Sequence, residues 1–174
     1  MIFKKTDFKG VYIVSLKPIC DNRGYFMRAF CKEEFKKHGI NFNVHQISRS
    51  FNIKKGTLRG VHFQNIPYEE NKFIQVLHGE IFDVVVDLRK NSTTFGKWIG
   101  EKLSKKNKKG FYIPKGFGHG FQTLTDNCEL EYLIDQPHYP THAKGIRWND
   151  PFFSIKWPIK NPELSDKDKN WKLL

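Results

Sequence analysis

Cysteine is scarce in this 174-residue sequence, where Cys20, Cys31 and Cys128 make an odd number with no C-x-x-C spacing. That argues against a disulfide framework and against a thiolate zinc site. No apolar run approaches the roughly 20 residues of a membrane span, and Met1-Ile2-Phe3-Lys4-Lys5 lacks the apolar stretch of a secretory leader. The expectation is a cytoplasmic protein with reduced thiols and no membrane contact. Repeats and low-complexity linkers are missing too, so residues 1–174 are expected to form one domain with a sizeable core. Nor do strand and helix patterns alternate, which argues against a parallel α/β sheet.

What is present is aromatic and basic. Hydrophobic residues make up 39% of the chain and aromatics 15%, which favours a fold built on Phe, Tyr and Trp over disorder. The formal net charge is +12, yet much of it lies in lysine clusters such as Lys36-Lys37, Lys54-Lys55 and Lys105 to Lys109, separated by β-like stretches. These look like solvated turns, so no nucleic-acid partner is expected. A basic surface would still raise the encounter rate with a phosphorylated metabolite.

Short strands dominate. Gly10 to Leu16 is one, and Asp21-Asn22-Arg23-Gly24 forms a tight corner into the next. Lys32 to His38, closed by Gly39, is the one convincing early helix, with Glu33 and Glu34 at its start and Lys36 and Lys37 at its end. In Ile81 to Leu88, Phe82, Val84, Val86 and Leu88 fall on one face, expected to be the core face, and Asp83 and Asp87 fall on the other. Phe95 to Leu103, Phe111 to Ile113, Gly118 to Leu124 and Cys128 to Ile134 add further strands, and Ser165 can cap a short helix in the tail. The pattern predicts an all-β sandwich or barrel with a few short peripheral helices.

Several polar groups sit where apolar ones belong. In Gly56 to Gln64, strand alternation places His62 with Leu58, Gly60 and Gln64, and Arg59 with Thr57, Val61 and Phe63. Arg59 and His62 reach one ligand only if the strand is distorted between them, and Gly60 stands at that place. The alternative is a satisfied core histidine beside a surface arginine. Lys72 shares a face with Ile74 and Val76, Tyr132 with Leu130 and Ile134, and His119 with Phe121. Each alone has a structural explanation; together with His62 they look like the lining of a barrel cavity. Pro114-Lys115-Gly116-Phe117-Gly118-His119 resembles the second motif of cupin barrels, but the partner motif is His62-Phe63-Gln64 where metal cupins have His-x-His. Two histidines without a nearby carboxylate are a poor divalent-metal site, so no metal is expected.

The spaced run Arg23-Gly24-x-Phe26, Leu58-Arg59-Gly60-Val61-His62-Phe63-Gln64, Lys72, Asp83-Val84-x-Val86-Asp87-Leu88-Arg89, Ile113-Pro114-x-Gly116-Phe117-Gly118-His119, Tyr132, Trp148-Asn149-Asp150-Pro151 and Ser165-x-Lys167-Asp168 resembles the dTDP-4-dehydrorhamnose 3,5-epimerase family, the RmlC-like cupins, over nearly the whole chain. The resemblance implies a cupin jelly-roll homodimer that inverts C3, C5 or both in a nucleotide-diphosphate-linked 4-keto-6-deoxy sugar, with no metal or redox cofactor. On it, His62 matches the general base, Asp168 its partner carboxylate, Lys72 the cation beside the developing enolate and Tyr132 the acid on the opposite face. Arg59 and His119 match residues around the sugar and phosphate, Arg23 a diphosphate contact and Phe26 an aromatic under the nucleobase. Three positions depart from the family pattern: Arg28 stands where many thymidine-specific members carry Glu, Gln46-Ile47-Ser48 where they carry Gln-x-Asn, and Ala143 where they carry Glu. Arg28, Gln46 and Ser48 are therefore candidate base contacts, and because a guanidinium can pair with O6 and N7 of guanine, dTDP- and GDP-sugars both remain open, as do hexose and heptose. The competing functions are a 3,4-ketoisomerase on the same substrate class and a sugar-nucleotide-binding cupin without catalysis.

Overall fold

A computed structural model describes all residues 1–174. Thirteen strands and two short helices follow one another as β1 (Ile2–Lys5), β2 (Tyr12–Ser15), β3 (Pro18–Asp21), β4 (Gly24–Met27), α1 (Lys32–Lys37), β5 (Gln46–Asn52), β6 (Leu58–Gln64), β7 (Lys72–His78), β8 (Glu80–Asp87), β9 (Trp98–Ser104), β10 (Lys109–Ile113), β11 (Phe117–Thr123), β12 (Cys128–Ile134), β13 (Ala143–Gly145) and α2 (Asp166–Lys169). They form a six-stranded sheet in the order β1-β2-β10-β7-β12-β5, a five-stranded sheet in the order β13-β6-β11-β8-β9, and the separate hairpin β3-β4. The named strands pair antiparallel throughout. This is the expected all-β sandwich. No helix is long and apolar enough to cross a membrane.

The inner faces of the two sheets meet in the main core. Ile74, Val76, Phe111, Ile113 and Leu130 come from the larger sheet, and Ile81, Val85, Leu103, Phe117 and Phe121 from the smaller. Both sheets are also covered outside. Phe35 of α1, with Ile40 and Phe42, packs on Val14, Phe73, Tyr112 and Leu133. Ile146, Phe153 and Ile155 of the C-terminal segment pack on Val61, Val84 and Val86. The six-residue α1 has no side-chain N-cap at Cys31, and its acidic start and basic end add only modest dipole complementarity. Its anchor is Phe35, completely buried, worth about 2 kcal/mol of apolar burial. Gly39 at φ +75° ends the turn, as its place after the last lysines predicts.

This two-sided coverage corrects the reading of Ile81 to Leu88. Strict alternation assigned one face to the core, but Val84, Val85, Val86, Asp83 and Asp87 are all completely buried. The face carrying Asp83 points into the sandwich with Ile81 and Val85, while Val84 and Val86 lie beneath the C-terminal segment. The strand expected from Phe95 begins only at Trp98, because residues 92–96 turn around Asp87, whose Oδ2 accepts from Ser92, Thr94 and Arg89 at 2.6 Å each. Ser165 caps α2 as expected, its Oγ accepting from the Asp168 amide at 3.2 Å.

Candidate active site

Between the sheets, at the end where β6, β7, β11 and β12 open, lies a cavity of about 440 Å³. Arg59, His62, Lys72, His119 and Tyr132 all line it, as do Gln46 and Ser48 of β5. The alternation of β7, β11 and β12 explains three of these. Their neighbours Ile74, Phe121 and Leu130 continue the same faces into the core, so the polar group closest to the opening faces the cup.

Arg59 and His62 share the cavity because β6 is distorted between them. Across the strand pair, Phe121 sits opposite Arg59 and His119 opposite His62, so three steps on β6 match two on β11. Gly60 makes this possible, for it has φ +134° and a Cβ there would lie 2.5 Å from the Gly120 Cα. The two backbones touch where any side chain would separate them.

His62 is held from the far end of the chain. Asp168 of α2 is buried and accepts from His62 Nε2 at 2.6 Å, from the Trp171 indole at 3.2 Å and from the Gly60 amide at 3.4 Å. Burial alone would raise this carboxyl, but the hydrogen bond and charge of His62, with the Trp171 and Gly60 donors, outweigh it and hold Asp168 below the usual carboxylate range. An ionised Asp168 accepts only, so Nε2 carries the hydrogen and Nδ1 is left for another partner. The α2 segment is tied to the start of β6 by the Leu58 amide donating to the Glu163 carbonyl at 2.8 Å and the Glu163 amide to the Gly56 carbonyl at 2.9 Å. Trp171 stands edge-on to His62, in space that exists because Gly145 has no side chain; a Cβ there would meet the indole at 2.3 Å.

Lys72 Nζ pairs with Glu70 at 2.6 Å, and both side chains are about nine-tenths buried. Gln64 donates to the other Glu70 oxygen at 2.8 Å, fixing the pair at the cavity wall. Tyr132 of β12 lines the same cavity. Burial first, then the Asp83 charge, push its phenol well above the usual tyrosine range, with Arg59 opposing. Such a phenol stays protonated and can donate. The arrangement supplies an imidazole with a free nitrogen, an anchored ammonium and a protonated phenol around one small space, which is what proton removal beside a carbonyl requires.

Sequence reasoning missed Glu70, Trp171 and Asp83. Glu70 lies in the loop before β7, outside any period, and Trp171 lies in the tail beyond α2, where its indole donates to Asp168 at 3.2 Å. Asp83 was placed on a face taken to be non-core. Conversely, Arg23, Phe26 and Arg28 do not line the cavity of their own chain. They belong to β3-β4 and its exit, where Phe26 is 73% exposed. Arg23 is bound to Asp21 at 2.6 Å and Arg28 to Glu34 at 2.9 Å.

The family model for dTDP-4-dehydrorhamnose 3,5-epimerase matches residues 5–174. This chain belongs to that family. The epimerase is 42% identical to the dTDP-4-dehydrorhamnose 3,5-epimerase of Methanothermobacter thermautotrophicus, over 99% of this chain and 94% of that one. It is 32% identical to a dTDP-4-dehydrorhamnose 3-epimerase of Streptomyces niveus, over 100% of this chain and 84% of the other. Among solved structures it superposes with a TM-score of 0.97 on the Bacillus anthracis 3,5-epimerase crystallised with TDP and pyrophosphate, at 38% identity and 99% coverage of both chains. The Legionella pneumophila enzyme in complex with dTDP-4-keto-L-rhamnose matches with a TM-score of 0.94 at 37% identity, over 99% and 92% of the two chains. The epimerase is thus an isomerase, acting on a nucleotide-linked 4-keto sugar.

Proposed function

We propose that this epimerase inverts one or both carbons flanking the ketone of a dTDP-linked 4-keto-6-deoxy sugar. The observation that carries the reading is the convergence of the His62–Asp168 pair, the Lys72 ammonium and the Tyr132 phenol on one cavity. His62 Nδ1 removes the proton next to the carbonyl, while Asp168 holds the tautomer and offsets the charge of the imidazolium. Negative charge develops on the ketone oxygen, and Lys72 stabilises that enolate more than the neutral ketone, which lowers the barrier. Tyr132 returns a proton from the opposite side, so configuration inverts. Arg59 and His119 bind around the sugar and phosphates, and Gln46 and Ser48 lie toward the base. Residues 1–174 act as one catalytic domain, in the cytoplasm, where its three unpaired cysteines stay reduced.

Arg23 and Phe26 serve the nucleotide only if a second copy delivers them, which is why the proposal includes a homodimer. Its support is the apolar surface left open on one protomer. Ile19, Tyr25 and Phe26 of the β3-β4 hairpin are more than half exposed, and so are Ile47 and Phe51 on β5, an edge strand of the larger sheet. The thymidine nucleotide is favoured over guanosine because Arg28 is engaged by Glu34, a partner in its own protomer that also receives the N-terminal ammonium at 2.7 Å. The relatives named above act on dTDP-sugars, one of them as a 3-epimerase by name. The deciding experiment offers dTDP- and GDP-linked 4-keto-6-deoxyglucose in heavy water and follows the product by NMR. Deuterium at inverted C3 or C5, C4 still a ketone and preference for dTDP are expected; a keto group moved to C3, or binding without exchange, would contradict the proposal.

A further inference from the structure

Inversion by two groups leaves the site out of balance. His62 ends with an extra proton and Tyr132 with one too few, and a phenolate in this wall is costly because burial and the Asp83 charge both disfavour it. We propose that the buried His119–Asp83 pair resets the site, relaying the proton from His62 to Tyr132 after each inversion. The proposal rests on the epimerase reading above.

His119 is placed for this on two sides. It is the register partner of His62 across β6 and β11, where facing side chains stand about 5 Å apart at Cβ. Its ring is edge-on to Tyr132, with centroids 6.1 Å apart. Asp83 takes His119 Nε2 at 2.6 Å, so Nδ1 is the nitrogen left for exchange, and His119 lines the cup. Of the other cations lining the cup, Lys72 donates to Glu70 and Arg59 to Asn52, while Lys144 and Lys167 also line it.

Asp83 is completely buried, and its Oδ2 is a buried side-chain oxygen with no hydrogen-bond partner. A merely structural carboxylate would be expected to satisfy both oxygens; this one keeps capacity for charge or a proton. Burial raises the Asp83 carboxyl, with His119 opposing. Nδ1 of His119 accepts the proton of the His62 imidazolium, and the Nε2 proton shifts toward Asp83, so the buried pair, which starts with one negative charge on Asp83, is neutral while it holds the extra proton. Nδ1–H then passes to the Tyr132 oxygen and Nε2 regains its proton. His62 is left neutral, Tyr132 is a phenol, and the pair is unchanged.

The test compares the first turnover with steady state, using dTDP-4-keto-6-deoxyglucose on the whole protein and on Asp83→Asn. The steady-state rate of the variant should fall about tenfold or more beyond any fall in its first turnover, a modest share of what positioned proton transfer contributes. A burst of one product per site should appear, and imidazole added to the buffer should restore the later turnovers. Equal losses in both phases, or no loss in either, would overturn the relay. A measurement on the wild type does not depend on the variant folding. With protiated substrate in heavy water, protons handed on through the pair should reach the next substrate, so product protium at the inverted carbon rises with substrate concentration. Complete deuteration at every concentration overturns the relay while leaving the epimerase reading intact. Failure of the wild type to invert any carbon removes both.

Discussion

Two histidine–aspartate pairs face each other across β6 and β11 with the same 2.6 Å separation, yet their surroundings differ in nearly every respect. The His62 side chain is 41% exposed to the cup and its carboxylate comes from α2, with two further donors on it. The His119 side chain is 6% exposed, and its carboxylate comes from the middle of a core strand with one oxygen unpartnered. Asp168 is held below the usual range and Asp83 above it. Environment, more than residue type, assigns the roles: the open pair with a firmly ionised carboxylate suits proton abstraction, and the closed pair suits proton storage.

Substitutions can break this contrast. The largest effect is expected from His62→Ala, which should lower the rate of first-turnover exchange by roughly 10³-fold, within the span of general-base contributions; rapid-quench NMR in heavy water reads it. Asp168→Asn should cost roughly 10²-fold, because the imidazole loses both its fixed tautomer and its counter-charge. If Asp83→Asn slowed the first turnover as much as Asp168→Asn, the two pairs would have to be equivalent and the contrast would fail. Tyr132→Phe should keep a measurable part of the proton removal while losing inversion, so recovered substrate carries deuterium with unchanged configuration. Phe26→Ala, outside the cup of its own chain, should raise KM about tenfold with little change in kcat, about 1.4 kcal/mol of lost nucleotide binding.

The smallest effect concerns stability. Because Asp168 is depressed in the folded state, the unfolded chain holds its proton more tightly and acid favours unfolding. Its contribution is complete above about pH 4, the ordinary aspartate value, and disappears as pH falls through the lower folded value. Asp168→Asn should therefore show a flatter decline in Tm below pH 4 than the wild type.

Much of this architecture was legible before any coordinates. His119, Lys72 and Tyr132 interrupt apolar faces in three strands, and period-two alternation is enough to send them to one interior. Gly60 marked the distortion that lets Arg59 join His62. Asp168 was legible only through the family pattern, since nothing in its local sequence indicates that α2 folds back 106 residues to meet a histidine on β6. Asp83 was misplaced because alternation assumes one wet face, whereas the C-terminal segment covers the outside of β8 as well. Arg23 and Phe26 show another limit: the family pattern marks them as nucleotide contacts, yet neither lines the cavity of its own chain.

The central claim is that His62, set by Asp168, removes the proton beside the ketone. Its most direct test is the initial rate of deuterium incorporation next to C4 of dTDP-4-keto-6-deoxyglucose in heavy water, measured for wild type and His62→Ala under enzyme excess. Rapid incorporation by the wild type and its loss by at least about 100-fold in the variant are expected; equal rates in the two proteins would contradict the account.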